Sequence, residues 1–323
     1  MFRKIEISLR TVLATLAILA GLWLVLQIRD ILFLLFIAFL LMTALYPLVV
    51  LLEKIRIPRI LAILIVYAVI FGVFGVFVVS SIPTLVVQTT KLVQELPAVV
   101  TKVLPYWNIN LTAVVTQLAP LGENLVNFTV GIFSNIITTV MVLIFTFYFL
   151  LERHRIKKII ADTFGSAIAE RVVTVLQAIE FRLGAWVRGE LILMFSIGFF
   201  VYIGLTILHV DFALPIAIVS GLLEIIPNIG PIISAIPAVL IGLSVSPVIA
   251  MSVIVLYVIL HQVEGNIIMP IIMKQSVGIS PMVSILVLLI GGKLAGVTGA
   301  VLAVPVLVVC QELIKYFTKN PAK

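Results

Sequence analysis

Residues 31–52 read ILFLLFIAFLLMTALYPLVVLL, and none of these positions carries a charge. A helix needs about 20 apolar residues to cross the hydrocarbon core of a bilayer. The stretch therefore predicts a membrane span, and the pattern recurs on both sides of it. Residues 9–28, 60–82 and 126–151 qualify, and beyond residue 190 the chain is apolar nearly to its end. Further spans are expected at 190–208, 213–242, 247–264 and 281–315, bringing the total to eight. Composition agrees: 63% of the 323 residues are hydrophobic and 11% are charged. Soluble domains run near 45–50% apolar and about 25% charged. The fold class is thus an all-α polytopic membrane protein with lipid as its solvent, some of its helices expected to be broken or re-entrant in the C-terminal half. No small-residue cleavage site follows the first span and a second span begins almost at once, so residues 9–28 are not expected to be a signal peptide.

Orientation follows from lysine and arginine, which collect in cytoplasmic loops. Arg3, Lys4 and Arg10 precede or open the first span, and Lys54, Arg56 and Arg59 follow the second. Arg153, Arg155, Lys157, Lys158, Arg171, Arg182 and Arg188 follow the fourth, and Lys315, Lys319 and Lys323 end the chain. The intervening loops hold only Arg29, Lys91 and Lys102. Both termini are therefore expected in the cytoplasm. The net charge of +7 reads as topology and not as a nucleic-acid footprint.

Two stretches are not expected to be spans. Residues 84–125 carry Leu92, Leu96, Val99, Val100 and Val103 at helical spacing, which predicts a small helical segment on the outer side. Residues 167–189 set Ile168, Val172, Val175, Ile179, Leu183 and Trp186 against Glu170, Arg171, Gln177, Glu180 and Arg182. That pattern fits either an interfacial amphipathic helix or a helix packed on a partner. The expected organisation is a three-span region at 1–82, the outer segment at 83–125, a fourth span and amphipathic helix at 126–189, a broken-helix core at 190–316 and a tail at 317–323.

Three blocks carry candidate chemistry. The first is Glu224-Ile-Ile-Pro227-Asn228-Ile-Gly230-Pro231, with Pro237 beyond it. Each proline removes a backbone donor and disturbs the preceding turn. A break at membrane depth is tolerated only inside protein or beside a water-filled cavity, and transporters use such breaks to aim helix ends at substrates and ions. An intramembrane acid such as Glu224 is a functional candidate in its own right. A kinked packing helix is the competing reading. The second block is His261-Gln262-Val-Glu264-Gly265-Asn266, closed by Pro270. Positions 261 and 264 share a helix face, where they could relay a proton or hold a cation, or simply end a span. The third is Gly291-Gly292-Lys293 through Gly296 and Gly299. Gly292 and Gly296 form G-x-x-x-G, a close-packing pattern, and the run of small residues also suggests a second break. Lys293 either counters a buried carboxylate or snorkels to the interface. Arg188 and Glu190 flank the start of a span and are expected at a cytoplasmic gate or interface. One cysteine and three histidines do not make a closed metal site, so neither metal nor cofactor is expected. No P-loop or nucleophile elbow is present, which argues against ATP-driven transport and against an enzyme.

These blocks, taken in order, resemble the autoinducer-2 exporter family. Arg188-Gly189-Glu190, Gly221 through Pro231 with Ala235-Ile-Pro237-Ala238, Gln262-Val-Glu264-Gly265-Asn266 with Pro270, Gly278-Ile-Ser280-Pro281, Gly291-Gly292 through Gly299, and Ala303-Val-Pro305 carry the likeness. It covers about residues 170–315. Asn228 stands where an aromatic residue is common in the family, and Ser280 where histidine is expected. The resemblance implies a bacterial cytoplasmic-membrane permease with a broken-helix core, homo-oligomeric and with a pentamer as the candidate number. Some members are described as autoinducer-2 exporters and others as sodium or lithium/proton antiporters. The expected partners are the bilayer and a small polar solute, a monovalent cation or a proton. The expected function is secondary export of a small solute, with Glu224 and Glu264 as proton or cation carriers and Asn228, Gly230 and Asn266 as ligands. Na+(Li+)/H+ antiport is the alternative within the class, and a non-transporting membrane scaffold the alternative outside it.

Overall fold

Without water to bond to, a backbone in lipid must satisfy its own hydrogen bonds, and helices do so within one segment. The computed structural model describes residues 9–72, 87, 136–226, 230–272 and 280–319, and among them there is no strand. The expected outer segment at 83–125 lies outside the described residues apart from Val87. The helices are α1 (Leu9–Gln27), α2 (Arg29–Lys54), α3 (Arg59–Gly72), α4 (Ile136–Glu152), α5 (Ile156–Phe164) and α6 (Ser166–Ile207). They continue with α7 (Ala213–Leu223), α8 (Gly230–Val245), α9 (Pro247–Val263) and α10 (Pro281–Lys319). Among the described residues four segments are long and apolar enough to cross a membrane, namely α2, α6, α9 with its continuation to Ile271, and α10, and the bent pair α4–α5 makes up to five.

The first half packs by side-chain interdigitation. Met42, Leu45 and Val49 of α2 meet Ala62, Ile63 and Val66 of α3 and Leu150 of α4 in one buried cluster. The cluster is closed by a charge. The last four carbonyls of a helix have no partner within it, and Leu150 lies in that last turn of α4. Arg59 donates to the Leu150 carbonyl from Nε (2.8 Å) and Nη2, and from Nη1 to Glu53 (2.9 Å).

In the second half the structure corrects three expectations. The amphipathic stretch 167–189 and the span 190–208 are one helix, α6, of 42 residues. No proline interrupts residues 166–207, so the change in sequence pattern marks a change of surroundings and not a break. Glu180 and Arg182 do not lie on a free polar face. Glu180 is buried and bonded to Arg153, and Arg182 is paired with Glu312 of α10. The middle of this helix is thus packed on its own neighbours within the chain.

The second correction concerns the span expected at 213–242, which is a hairpin. Gly230 stands against the Leu223 carbonyl at its tip. Higher up, the Tyr257 hydroxyl bridges Ser220 of α7 (2.9 Å) and the Ser234 carbonyl of α8 (3.4 Å). Ile216 and Ala217 then share a cluster with Ala238 and Ile241. Residues that meet across α7 and α8 thus move apart in sequence from the tip, as in antiparallel arms. At 11 residues α7 is about 16 Å long, half the thickness of a bilayer core.

The third correction is the span at 281–315. Ala295 and Gly296 leave helical geometry, with φ +60° at Gly296. Gly291 then lies against the Gly299 backbone and the Ala303 side chain, contacts that a continuous helix could not make. Thus α10 is also a hairpin, with a short and a long arm. Glu312, near the foot of the long arm, pairs with Arg182 in the first half of α6. The feet of α7 and α8 lie beside the opposite end of α6, near Leu205 and Val210. The two hairpins therefore enter the bundle from opposite ends.

A candidate carboxyl site at the hairpin tip

Helix α7 ends at Leu223 and the chain restarts as α8 at Gly230-Pro231, which leaves Glu224 at the end of the short arm. Pro231 is buried at the second position of α8, where its missing N–H costs nothing and its φ suits a helix start. Gly230 is required by close approach, since a side chain there would overlap the Leu223 carbonyl. Pro227 and Asn228 lie outside the described residues.

Facing the tip, α9 passes into a single π-helical turn, Glu264–Ile268. Such bulges insert a residue and turn side chains off the regular face, often at functional sites. Glu264 is buried there, beside the Glu224 side chain. Glu190 of α6 adds a third acid that interacts electrostatically with both. These three are 4%, 1% and 3% exposed for Glu190, Glu224 and Glu264. Among the described residues, both carboxyl oxygens of Glu190, and Oε2 of Glu224 and of Glu264, have no hydrogen-bond partner. Buried carboxylates without partners are costly in a low-dielectric interior, so the site calls for a positive charge. His261 Nδ1 stands 3.4 Å from Glu264 Oε2 without hydrogen-bonding geometry, and its ring is half-exposed. Among the described residues no three acid, histidine or cysteine side chains converge closely enough to hold a metal ion.

Other expected site residues lie apart from this cluster. Asn266 donates to Gln262 (3.0 Å to its carbonyl, 3.2 Å to its side chain), and both are exposed. Pro270 and Lys293 are exposed, and Lys293 forms no ion pair among the described residues. The close glycine pair is Gly291 with Gly299, not Gly292 with Gly296. Gly292 reaches only Ala300, and Gly296 takes the positive φ of the turn.

Arg188 and Glu190 do not act together. Two residues apart on a helix, they point about 200° apart. Arg188 turns to α2, where its Nη1 lies 3.3 Å from the Thr43 carbonyl and 3.5 Å from that of Ala44. Pro47 explains the acceptor, because it lacks the N–H that would bond the carbonyl four residues back. Glu190 turns inward to the acids. That two-residue offset was the signal for separate roles. The buried hydroxyls of Ser220, Ser234 and Tyr257, one turn above the acids, had no signal in spacing alone.

A helical membrane protein with hairpins dipping in from both ends, and unpartnered acids at one tip, belongs to the class that builds sites from broken helices. Comparison with known proteins gives the family. Residues 12–319 match the AI-2E family transporter pattern, and the chain belongs to that family. It is similar to YrrI of Bacillus subtilis (strain 168), named as a candidate transport protein, with 31% identity over 173 residues, 54% of this chain and 49% of that one. YueF of the same organism, named likewise, is 30% identical over 182 residues, 56% and 49% of the two chains. YhhT of Escherichia coli (strain K12), also named so, is 40% identical over 115 residues, 35% and 33%. The matched stretches thus span half of these relatives or less. The family expected from residues 170–315 is the family found, and the match reaches well into the first half.

Proposed function

We propose that this transport protein is a secondary exporter of a small polar solute, autoinducer-2-like molecules among the candidates. A proton or monovalent cation taken up by Glu224, Glu264 and Glu190 drives it. The observation that supports this reading is the three-acid cluster beside a broken-helix tip, buried and with four carboxyl oxygens lacking donors. A site of this kind accepts and releases positive charge. The hairpin tip, held only by short arms, is the element that would move as it does so. In this reading the basic end around Arg153, Arg155, Lys157 and Lys158 is cytoplasmic, by the positive-inside rule. The feet of α7 and α8 then face the outside, α10 dips in from the cytoplasm, and both termini are cytoplasmic in a bacterial inner membrane. Homo-oligomeric assembly is carried over from the family.

The second reading is Na+(Li+)/H+ antiport, which the Glu224–Glu264 pair favours, because proton and cation would compete for one carboxyl pair. Reconstitution in liposomes with an internal pH dye separates the two. Sodium- or lithium-dependent pH change, lost in Glu224→Gln and Glu264→Gln, is expected of antiport. Solute flux driven by an imposed pH gradient, without a cation requirement, is expected of export. Flux of neither kind, or flux unchanged in both variants, removes the carboxyl site from the mechanism and leaves the scaffold reading.

A further inference from the structure

The basic residues at the α4–α6 end fall into two groups. Arg59, Arg153 and Arg182 are engaged with Glu53, Glu180 and Glu312, and Arg153 also lies over the Tyr46 ring. Arg155, Lys157 and Lys158 are exposed and enter no ion pair among the described residues. All three sit at the start of α5, a nine-residue helix with no buried residue. Its sequence is two-faced. At 100° per residue, Ile156, Ile159, Ile160, Thr163 and Phe164 fall on one side, and Arg155, Lys157, Lys158 and Asp162 on the other. Helix α5 packs against α6, yet Ile159 and Phe164 remain 57% and 64% exposed.

The angle sets where this helix lies. Helix α4 is an apolar segment, and α5 leaves it bent by 70°. If α4 runs across the bilayer, α5 lies close to the plane of its surface. An amphipathic helix in that plane sinks its apolar side into the acyl boundary and holds its cations at headgroup level. The interfacial role that the sequence suggested for 167–189 thus falls to the segment just before it.

We propose that α5 is a binding surface for anionic phospholipid headgroups, with Arg155, Lys157 and Lys158 as the phosphate-facing cations and Ile159 and Phe164 as its apolar anchors. The choice of an anionic lipid over a protein partner rests on charge. Three cations that form no ion pair among the described residues outnumber the one acid on their side, Asp162, and lie beside apolar side chains that continue the surface of a membrane segment. A juxtamembrane cation near an anionic leaflet gains up to about fivefold in local lipid preference. The inference stands whether or not the carboxyl site drives transport.

The test uses the full chain with Cys310→Ser, since Cys310 is exposed and would take label itself. Ile159→Cys carries an environment-sensitive fluorophore, in liposomes containing equal mole fractions of phosphatidylcholine and phosphatidylglycerol. Either one lipid or the other is brominated. Quenching by brominated phosphatidylglycerol is expected to exceed that by brominated phosphatidylcholine at least about twofold. In a variant with Arg155, Lys157 and Lys158 all changed to glutamine, the two should become equal while total quenching persists. Equal quenching in the parent chain overturns the proposal, whatever the variant does. So does an absence of quenching by either lipid, which would mean that protein or water covers the helix. A label at Phe199, exposed on α6, should respond alike in both chains and checks that the variant folds.

Discussion

Two sets of acids divide this molecule. Near the Arg153 end, Glu53, Glu180 and Glu312 each face an arginine at 2.9 Å or less, and each ties one helix to another chain segment. At the tip of the α7–α8 hairpin, Glu190, Glu224 and Glu264 lie within electrostatic reach of one another. The first set is structural, because opposite charges in low dielectric hold only with their partners in place. Among the described residues the second set has no lysine or arginine paired with it, and fixed structure alone gives no reason to keep it. Acids that join helices and acids that wait for a charge should respond oppositely to neutralisation.

The largest effect is expected at Arg153. Arg153→Ala leaves Glu180 buried beside α2 without its cation and should cost about 3 kcal/mol, read as a fall in melting temperature of the purified protein. Pairing it with Glu180→Leu should recover most of that loss. Gly299→Val comes next, at about 2 kcal/mol, because the added side chain meets the Gly291 backbone and cannot be turned aside. A wild-type melting temperature in this variant would mean that the arms of α10 do not fold back. Tyr257→Phe removes a hydroxyl joining both hairpin arms to α9 and should cost about 1 kcal/mol. The smallest change in stability is expected at the tip itself. Glu190→Gln should shift stability by less than about 0.5 kcal/mol, or raise it, while flux falls. If Glu190→Gln destabilised as strongly as Arg153→Ala, the two sets would be alike and the tip would be ordinary scaffolding.

Much of this was legible in the sequence. The run at 31–52 gives a helix of crossing length, and Pro227 through Pro231 marks a chain break beside an acid. Glu224 and Glu264 stand out because acids are rare in apolar segments. Their meeting was not legible, since 40 residues separate them and only the hairpin brings both to one level. Glu190 was misjudged for a local reason. Charges at the start of a span are common, and nothing in the order Arg188-Gly189-Glu190 says which one turns inward.

Composition and pattern were enough for the solvent, the helical class and the family. Those depend on composition, on runs of about 20 apolar residues and on ordered motifs, all properties of the chain in one dimension. Packing in three dimensions was needed to show that 213–242 and 281–319 turn back on themselves and that 166–207 does not. A proline or glycine shows that a helix can bend, but the direction is set by what it packs against. Gly230 against Leu223 and Gly291 against Gly299 closed the two hairpins, and unbroken packing from Ile179 to Leu205 kept α6 whole. The gathering of three acids with no cation among them followed from those contacts.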